Sequence, residues 1–195
     1  MRFFRRMLLL ALVVALAACQ RVEPIKLDLK GTDLTGTEVG GDFTLTDHTG
    51  KPRALSSFRG KVVALFFGYT HCPDVCPTTL LEYANIYKKL GADGGKLQVV
   101  FVSVDPERDT QQVLAGYVPH FNPTFVGLTG SVAQVASVMK AYKVVAQKVP
   151  AAGGDYSVDH SAGSYLLDAE GRVRVYEPYG SPAADVVHDI QQLLR

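Results

Sequence analysis

The sequence contains no tryptophan and only three cysteines, Cys19, Cys72 and Cys76. Three thiols exclude a disulfide-dense scaffold, and an odd count leaves one to explain in an exported protein. An excess of either charge is also missing, with 20 Lys and Arg against 19 Asp and Glu. Without a basic field nothing steers a phosphate backbone to the surface, so nucleic acid is not an expected partner. No apolar run reaches the roughly 20 residues that a membrane-spanning helix needs. The longest, Met7 to Ala18, has twelve. No segment repeats. What is present is an ordinary globular composition, 47% hydrophobic and 20% charged over 195 residues. That length has room for a single core plus a tail.

Arg2, Arg5 and Arg6 precede the twelve-residue run, the charge pattern of a secretory signal peptide. The run ends in Leu16-Ala17-Ala18-Cys19, which resembles the lipobox of bacterial lipoproteins. The resemblance implies cleavage before Cys19 and lipid on its thiol, at about 0.8 kcal/mol of anchorage per buried methylene. Cleavage removes three arginines and no acid, leaving 17 bases and 19 acids, a net charge of −2. Gln20 to Gly41 is polar, carries Gly31, Gly36, Gly40 and Gly41, and shows no sustained period, so it reads as a tether. The expected organisation is a signal peptide over residues 1–18, a flexible tether over 19–41 starting at lipidated Cys19, and a folded domain over 42–195. The domain is expected as a monomer on the periplasmic face of a bacterial membrane, the inner rather than the outer.

Regular pattern begins at Phe43. Phe43-Thr44-Leu45-Thr46 alternates, and with Arg53-Ala54-Leu55 predicts a hairpin across His48-Thr49-Gly50. Ser56 to Gly60 reads as one helical turn. Lys61 to Phe67 is nearly all apolar, as in a strand buried on both faces. Pro77 is expected to open a helix with Leu80, Ala84, Tyr87 and Leu90 on one stripe. Leu97 to Val104 and Phe125 to Leu128 predict strands. Thr110 to Tyr117 predicts a helix stopped before Pro119, and Ser131 caps another. Val144 to Val149 is extended, Ala151 to Gly154 is a loop, and Ser164–Leu167 with Arg172–Tyr176 makes a late hairpin. Pro182 to Leu194 closes the chain as an amphipathic helix. This order predicts an α/β domain whose mixed central sheet is flanked by helices, thioredoxin-like with an extra N-terminal β-hairpin.

The chemistry centres on Cys72 and Cys76, after a buried strand and before a helix. Ligands collect at the carboxyl ends of strands in such sheets. At i and i+4 in a helical turn the two sulfurs stand about 40° apart around the axis and face one way. A helix N-terminus favours thiolate, so the pair is expected to be more acidic than free cysteine. A static bridge here closes a small ring and stabilises little. A redox pair and a metal pair stay open. Soft thiolates select Cu(I), and imidazole tolerates Cu(I) and Cu(II) alike, so a histidine is the natural third ligand. Of five, His48 reads as an exposed structural residue of a turn, His120 as a helix-end cap, His188 as lying on a solvated face, and His71 as shaping the loop. His160, in Ser157-Val158-Asp159-His160-Ser161, is the candidate, with Asp159 beside it able to orient the loop or reach the ring.

The segment Gly68-Tyr69-Thr70-His71-Cys72-Pro73-Asp74-Val75-Cys76-Pro77 resembles the signature of the Sco/SenC copper chaperones. Ser103-Val104-Asp105-Pro106-Glu107-Arg108-Asp109-Thr110 resembles the family's strand-end acidic motif, and Tyr156 to Ser161 its histidine motif. The resemblance runs from about Phe43 to the C-terminus. It implies a thioredoxin-like fold, copper held by Cys72, Cys76 and His160 as Cu(I) and also Cu(II), and assembly of the binuclear copper centre of cytochrome c oxidase. It implies as partner the copper-centre subunit of that oxidase, and an oxidising periplasm, which threatens the pair with disulfide formation, implies a periplasmic thiol reductant as well. Asp105 matches an acidic position near the site, for support or partner contact, with helix capping before Pro106 as the plain alternative. The competing function is a thiol-disulfide reductase using Cys72 and Cys76 on the oxidase's cysteines, or a redox or copper sensor. Against the reductase stand the missing Cys-x-x-Cys spacing and His160-Ser161-Ala162-Gly163 where a substrate-docking proline is expected. A peroxiredoxin pattern fails at Leu65 and Tyr69.

Overall fold

The computed structural model describes residues 27–195, so the signal peptide and Cys19 fall outside the described residues. Ten strands are present among them: β1 Thr32–Asp33, β2 Thr44–Asp47, β3 Pro52–Ala54, β4 Val62–Gly68, β5 Leu97–Ser103, β6 Val126–Thr129, β7 Ala146–Pro150, β8 Tyr156–His160, β9 Ser164–Leu167 and β10 Val173–Glu177. Four α-helices accompany them: α1 Val75–Lys89, α2 Gln111–Phe121, α3 Val132–Ala141 and α4 Ala183–Leu193. Eight strands form one mixed sheet in the order β1-β10-β9-β4-β5-β6-β2-β3. β4, β5 and β6 are parallel, and the remaining neighbours run antiparallel.

Every residue of β4 and β5 is buried, as continuous apolar runs require when both sheet faces are covered. Alternation splits them between two cores. Val62, Ala64, Phe66, Val99 and Phe101 pack with α1, α2 and α4 through Leu80, Leu114, Val118, Val186 and Ile190. Val63, Leu65, Phe67, Val100 and Val102 pack on the other face with Leu45, Leu55, Phe58, Val138 and Tyr142. Each such side chain contributes about 1.5–3 kcal/mol when fully buried. The expected mixed sheet, flanking helices and N-terminal hairpin (β2–β3) are all present.

Four local expectations are corrected. α1 starts at Val75, two residues before Pro77. Proline is tolerated there because the first four helical amides have no intrahelical acceptor anyway. α2 runs through Pro119 to Phe121. The carbonyl that Pro119 leaves free belongs to exposed Ala115, and the extra turn lets Phe121 join Leu114 and Val118 against the core. Tyr156–His160 is a strand, paired with β7 in a separate two-stranded sheet. The fourth is the tether, over the part that is described. Thr32 and Asp33 pair with Tyr176 and Val175 at the sheet edge, and Leu27, Leu29, Leu34 and Val39 pack on the two cores. Residues 27–41 are thus laid against the domain, because apolar residues too widely spaced to show a period still find apolar neighbours along an open edge.

Candidate metal centre

β4 delivers the chain to Gly68 and Tyr69 at the carboxyl end of the sheet, where it turns before α1. One thiol and one imidazole meet there, with a second thiol in the turn beside them. Cys76 is the second residue of α1 and only 1% exposed, whereas Cys72 sits in the preceding turn, half-buried. Both thiols are free. The helical i, i+4 expectation is corrected, since Cys72 precedes the helix. Its Sγ instead lies 3.5 Å from the Cys76 backbone N–H, acting as acceptor for an amide at the helix start. The N-cap position, Asp74, supplies no side-chain bond of that kind.

Space for the Cys76 sulfur depends on a missing side chain. A Cβ at Gly68 would stand 2.7 Å from Cys76 Sγ and 2.8 Å from the Phe101 ring. Only glycine lets the sulfur press against the strand end. Burial then pushes the Cys76 thiol well above the ordinary range, reinforced by neighbouring Cys72 and Asp109, although a backbone bond near Tyr69 works the other way. The expected acidic pair is corrected at Cys76, where desolvation outweighs the helix N-terminus.

His160 arrives from β8, at the end of the β7–β8 hairpin. Its Nε2 is 3.6 Å from Cys76 Sγ. Its Nδ1 is 2.8 Å from the Ser161 carbonyl, which can only accept, so Nδ1 carries the proton and the Nε2 lone pair faces the sulfur. A soft ion with bonds of about 2.3 Å to sulfur and about 2.0 Å to nitrogen, as at zinc, holds such ligands about 3.5–3.8 Å apart at angles of 109–120°. The observed separation meets that requirement. Among the described residues no three His, Cys, Asp or Glu side chains already converge on one point. The Cys76–His160 pair is set, and Cys72 stands beside it.

The supporting contacts come from the loop after β5. Asp109, fully buried, accepts from the Thr70 amide (3.0 Å), the Thr70 hydroxyl (2.6 Å) and the Ser103 hydroxyl (2.7 Å). It pins the cysteine turn to β5. Exposed His71 caps this arrangement, with Nδ1 3.2 Å from the Thr70 hydroxyl and 3.9 Å from Asp109. Asp105, also buried, binds the Arg108 guanidinium and accepts the Tyr156 hydroxyl at 2.9 Å. Arg108 donates to the Tyr156 carbonyl and to Asp155, and its guanidinium lies 3.6 Å over the Tyr156 ring. Asp105 therefore holds the hairpin that carries His160. At 1% exposure it offers no surface to a partner, so the partner-contact expectation is corrected. Asp159 occupies the intervening, exposed position of β8, and the Ser161 carbonyl takes the ring proton in its place. Of its two alternatives, the bond to the ring is therefore not formed.

Sequence reasoning missed Asp109 and Arg108, although both stood in the acidic motif, because chain distance concealed that they reach Thr70 and Tyr156. The apolar-facing alternation of Tyr156, Val158 and His160 was the available signal for β8. Of the other histidines, His48 accepts from the Gly127 amide, structural as expected, whereas His188, expected on a solvated face, packs against Asp28 and contacts its carbonyl. His120 lies exposed in the last turn of α2.

A family model described as SCO1/SenC matches residues 31–195. The chain belongs to the SCO1/SenC family. A mouse mitochondrial protein, the SCO2 homolog, is 43% identical over 155 residues, covering 78% of this chain and 61% of the mouse protein. The chain spans 57 to 61% of the length of the mammalian relatives it matches. Bradyrhizobium japonicum ScoI, solved with copper bound, superposes with a TM-score of 0.74 at 42% identity, over 80% of this chain and 99% of that one. A SCO1/SenC family lipoprotein from Bacillus anthracis gives 0.72 at 26% identity, over 86% of this chain and 99% of that one. The fold is the thioredoxin-like one of these SCO1/SenC proteins.

Proposed function

We propose that this SCO1/SenC protein is a lipid-anchored periplasmic copper carrier. It takes copper on Cys72, Cys76 and His160 and delivers it to the binuclear copper centre of cytochrome c oxidase. The observation that carries the reading is the 3.6 Å approach of Cys76 Sγ and His160 Nε2, with the Nε2 lone pair turned toward the sulfur. Copper in the Bradyrhizobium relative supports the choice of ion, and thiolate with imidazole is a donor set for it. Loading requires Cys72 to leave the Cys76 amide and turn onto the ion. Both thiols give up their protons as they bind, so affinity falls as pH falls. Delivery proceeds by exchange of these ligands for thiolates of the acceptor.

The three residues between Cys72 and Cys76, where thiol-disulfide oxidoreductases carry two, speak against the reductase reading. The anchor rests on the lipobox at Cys19, and the Bacillus lipoprotein relative supports it. Among the described residues no helix is long and apolar enough to cross a membrane. Leu27 lines a cleft with Gly60 and Lys96, beside the starts of β4 and β5, so the chain enters the domain at the end opposite the cysteines. From Cys19 to Leu27 is a reach of at most about 29 Å.

Copper titration of the reduced protein tests the assignment. Wild type is expected to bind about one ion per chain, and His160→Ala to bind roughly a hundredfold more weakly or worse. The disulfide still forms in that variant. Equal affinity in the two proteins removes His160 from the ligand set.

A further inference from the structure

A second cluster of buried ionisable groups lies where residues 27–34 meet the domain. Asp189 of α4 is fully buried and accepts from the Lys30 amide at 2.8 and 3.0 Å and from the Gly31 amide at 2.8 Å. Glu177, at the end of β10, is 3% exposed, and its Oε1 has no hydrogen-bond donor. Gly31 lies between the two acids. A Cβ there would fall 2.9 Å from Glu177 Oε1, so only glycine passes this point without displacing the carboxyl group. The Lys30 side chain is turned away from the two acids, since its Nζ pairs with Asp28. His188 also binds Asp28.

We propose that Glu177, held as the neutral acid, and the Asp189 carboxylate that grips the Lys30 and Gly31 amides act together as a pH-sensitive clasp on the strap formed by residues 27–34. Asp189 holds the strap's amides as a carboxylate, and Glu177 stays beside it only as the neutral acid. When the Glu177 proton passes to solvent, two buried carboxylates face each other across Gly31 with no cation between them, and the strap loosens. The other groups around Glu177 reinforce this. Asp185 of α4 adds negative charge, Tyr83 of α1 is a neutral phenol held by burial, and Glu82 of α1, itself raised by burial, lines the same cleft, while the Ser181 hydroxyl, which also donates to the Pro178 carbonyl, favours the ionised form. Burial first, then Asp189, raises the Glu177 carboxyl from the usual range to about 7.

The sign follows from linkage. The closed strap binds a proton that the open one releases from about pH 4.5 upward, so opening becomes easier as pH rises from there to about 7. The clasp is independent of the copper reading. Its consequence is a change in reach, because freeing eight residues lengthens the connection below the domain by up to about 27 Å. It also exposes the β10 edge that Thr32 and Asp33 cover.

Amide hydrogen exchange on the full-length chain between pH 5 and pH 8, corrected for intrinsic rates, tests the clasp. In wild type the opening equilibrium for residues 30–34 is expected to rise about tenfold or more across that range, while β4 and β5 amides stay protected. Glu177→Gln keeps the neutral shape and is expected to hold the strap with no pH dependence. A pH-independent wild-type strap, or a Glu177→Gln strap that still loosens on raising the pH, overturns the proposal. Carboxyl NMR of Glu177 in the unaltered chain gives a second reading free of any folding defect in the variant. A titration midpoint near 7 supports the clasp, and one near 4.5 overturns it.

Discussion

Gly68→Ala is the sharpest test of how the sulfur is seated. The new methyl would lie 2.7 Å from Cys76 Sγ and 2.8 Å from the Phe101 ring. Ordinary contact between such atoms begins near 3.5 Å, so something must move by about 0.8 Å. The backbone has little freedom to give, because Gly68 pairs with Ser103 inside a sheet buried on both faces. Phe101 is locked against Phe66, their ring centroids 5.2 Å apart. The sulfur therefore shifts, and its 3.6 Å relation to His160 is lost. Overpacking of this kind costs about 1–3 kcal/mol, seen as a lower denaturant midpoint. Copper affinity is expected to fall about tenfold or more in the same protein, as when a ligand loses its support. Gly95→Ala is the control, since a Cβ there meets nothing within 4 Å. Urea unfolding and copper titration of the reduced proteins read both effects. Wild-type stability and affinity in Gly68→Ala would refute the claim that the strand end holds the sulfur, and lost stability with intact affinity would refute its link to the metal.

Two further outcomes are expected. Asp109→Ala strands the Thr70 amide and hydroxyl and the Ser103 hydroxyl, for a loss of about 2–4 kcal/mol and faster alkylation of Cys72; an unchanged midpoint and alkylation rate would show that the turn holds itself. Buried Asp47 is pulled down to about 2, because bonds from Thr49, Lys51 and Arg53 overcome the opposing effect of burial. Its contribution, about 2 kcal/mol, is present above pH 4 and lost as pH falls from there toward 2. Asp47→Asn should flatten that acid limb of a stability–pH curve, and an unaltered limb would assign the acid sensitivity elsewhere.

Much of the fold was legible because its signals are local. β4 and β5 are unbroken apolar runs, and such runs pack only in a sheet covered on both sides. Ser131 and Gln134 form the capping box that starts α3, written in four consecutive residues. The cysteine turn was legible as a site from its place between a buried strand and a helix. β8 was not, since five residues after a glycine loop carry too weak an alternation to stand out until β7 lies beside them. The strap at residues 27–34 was read as tether for a similar reason. Its few leucines gain their meaning from α4 and β10, more than 130 positions away in the chain.

By itself, then, the sequence determined most strands and helices of the central domain, their order, and which two thiols stand at a strand end. Composition and periodicity act over a few residues, and those choices need nothing more. Tertiary structure alone decided which histidine nitrogen faces the sulfur, why Gly68 must lack a side chain, and how two acids on different elements come to enclose Gly31. It also reversed the expected acidity of Cys76, because a helix N-terminus is a local property whereas desolvation is set by everything packed around the thiol.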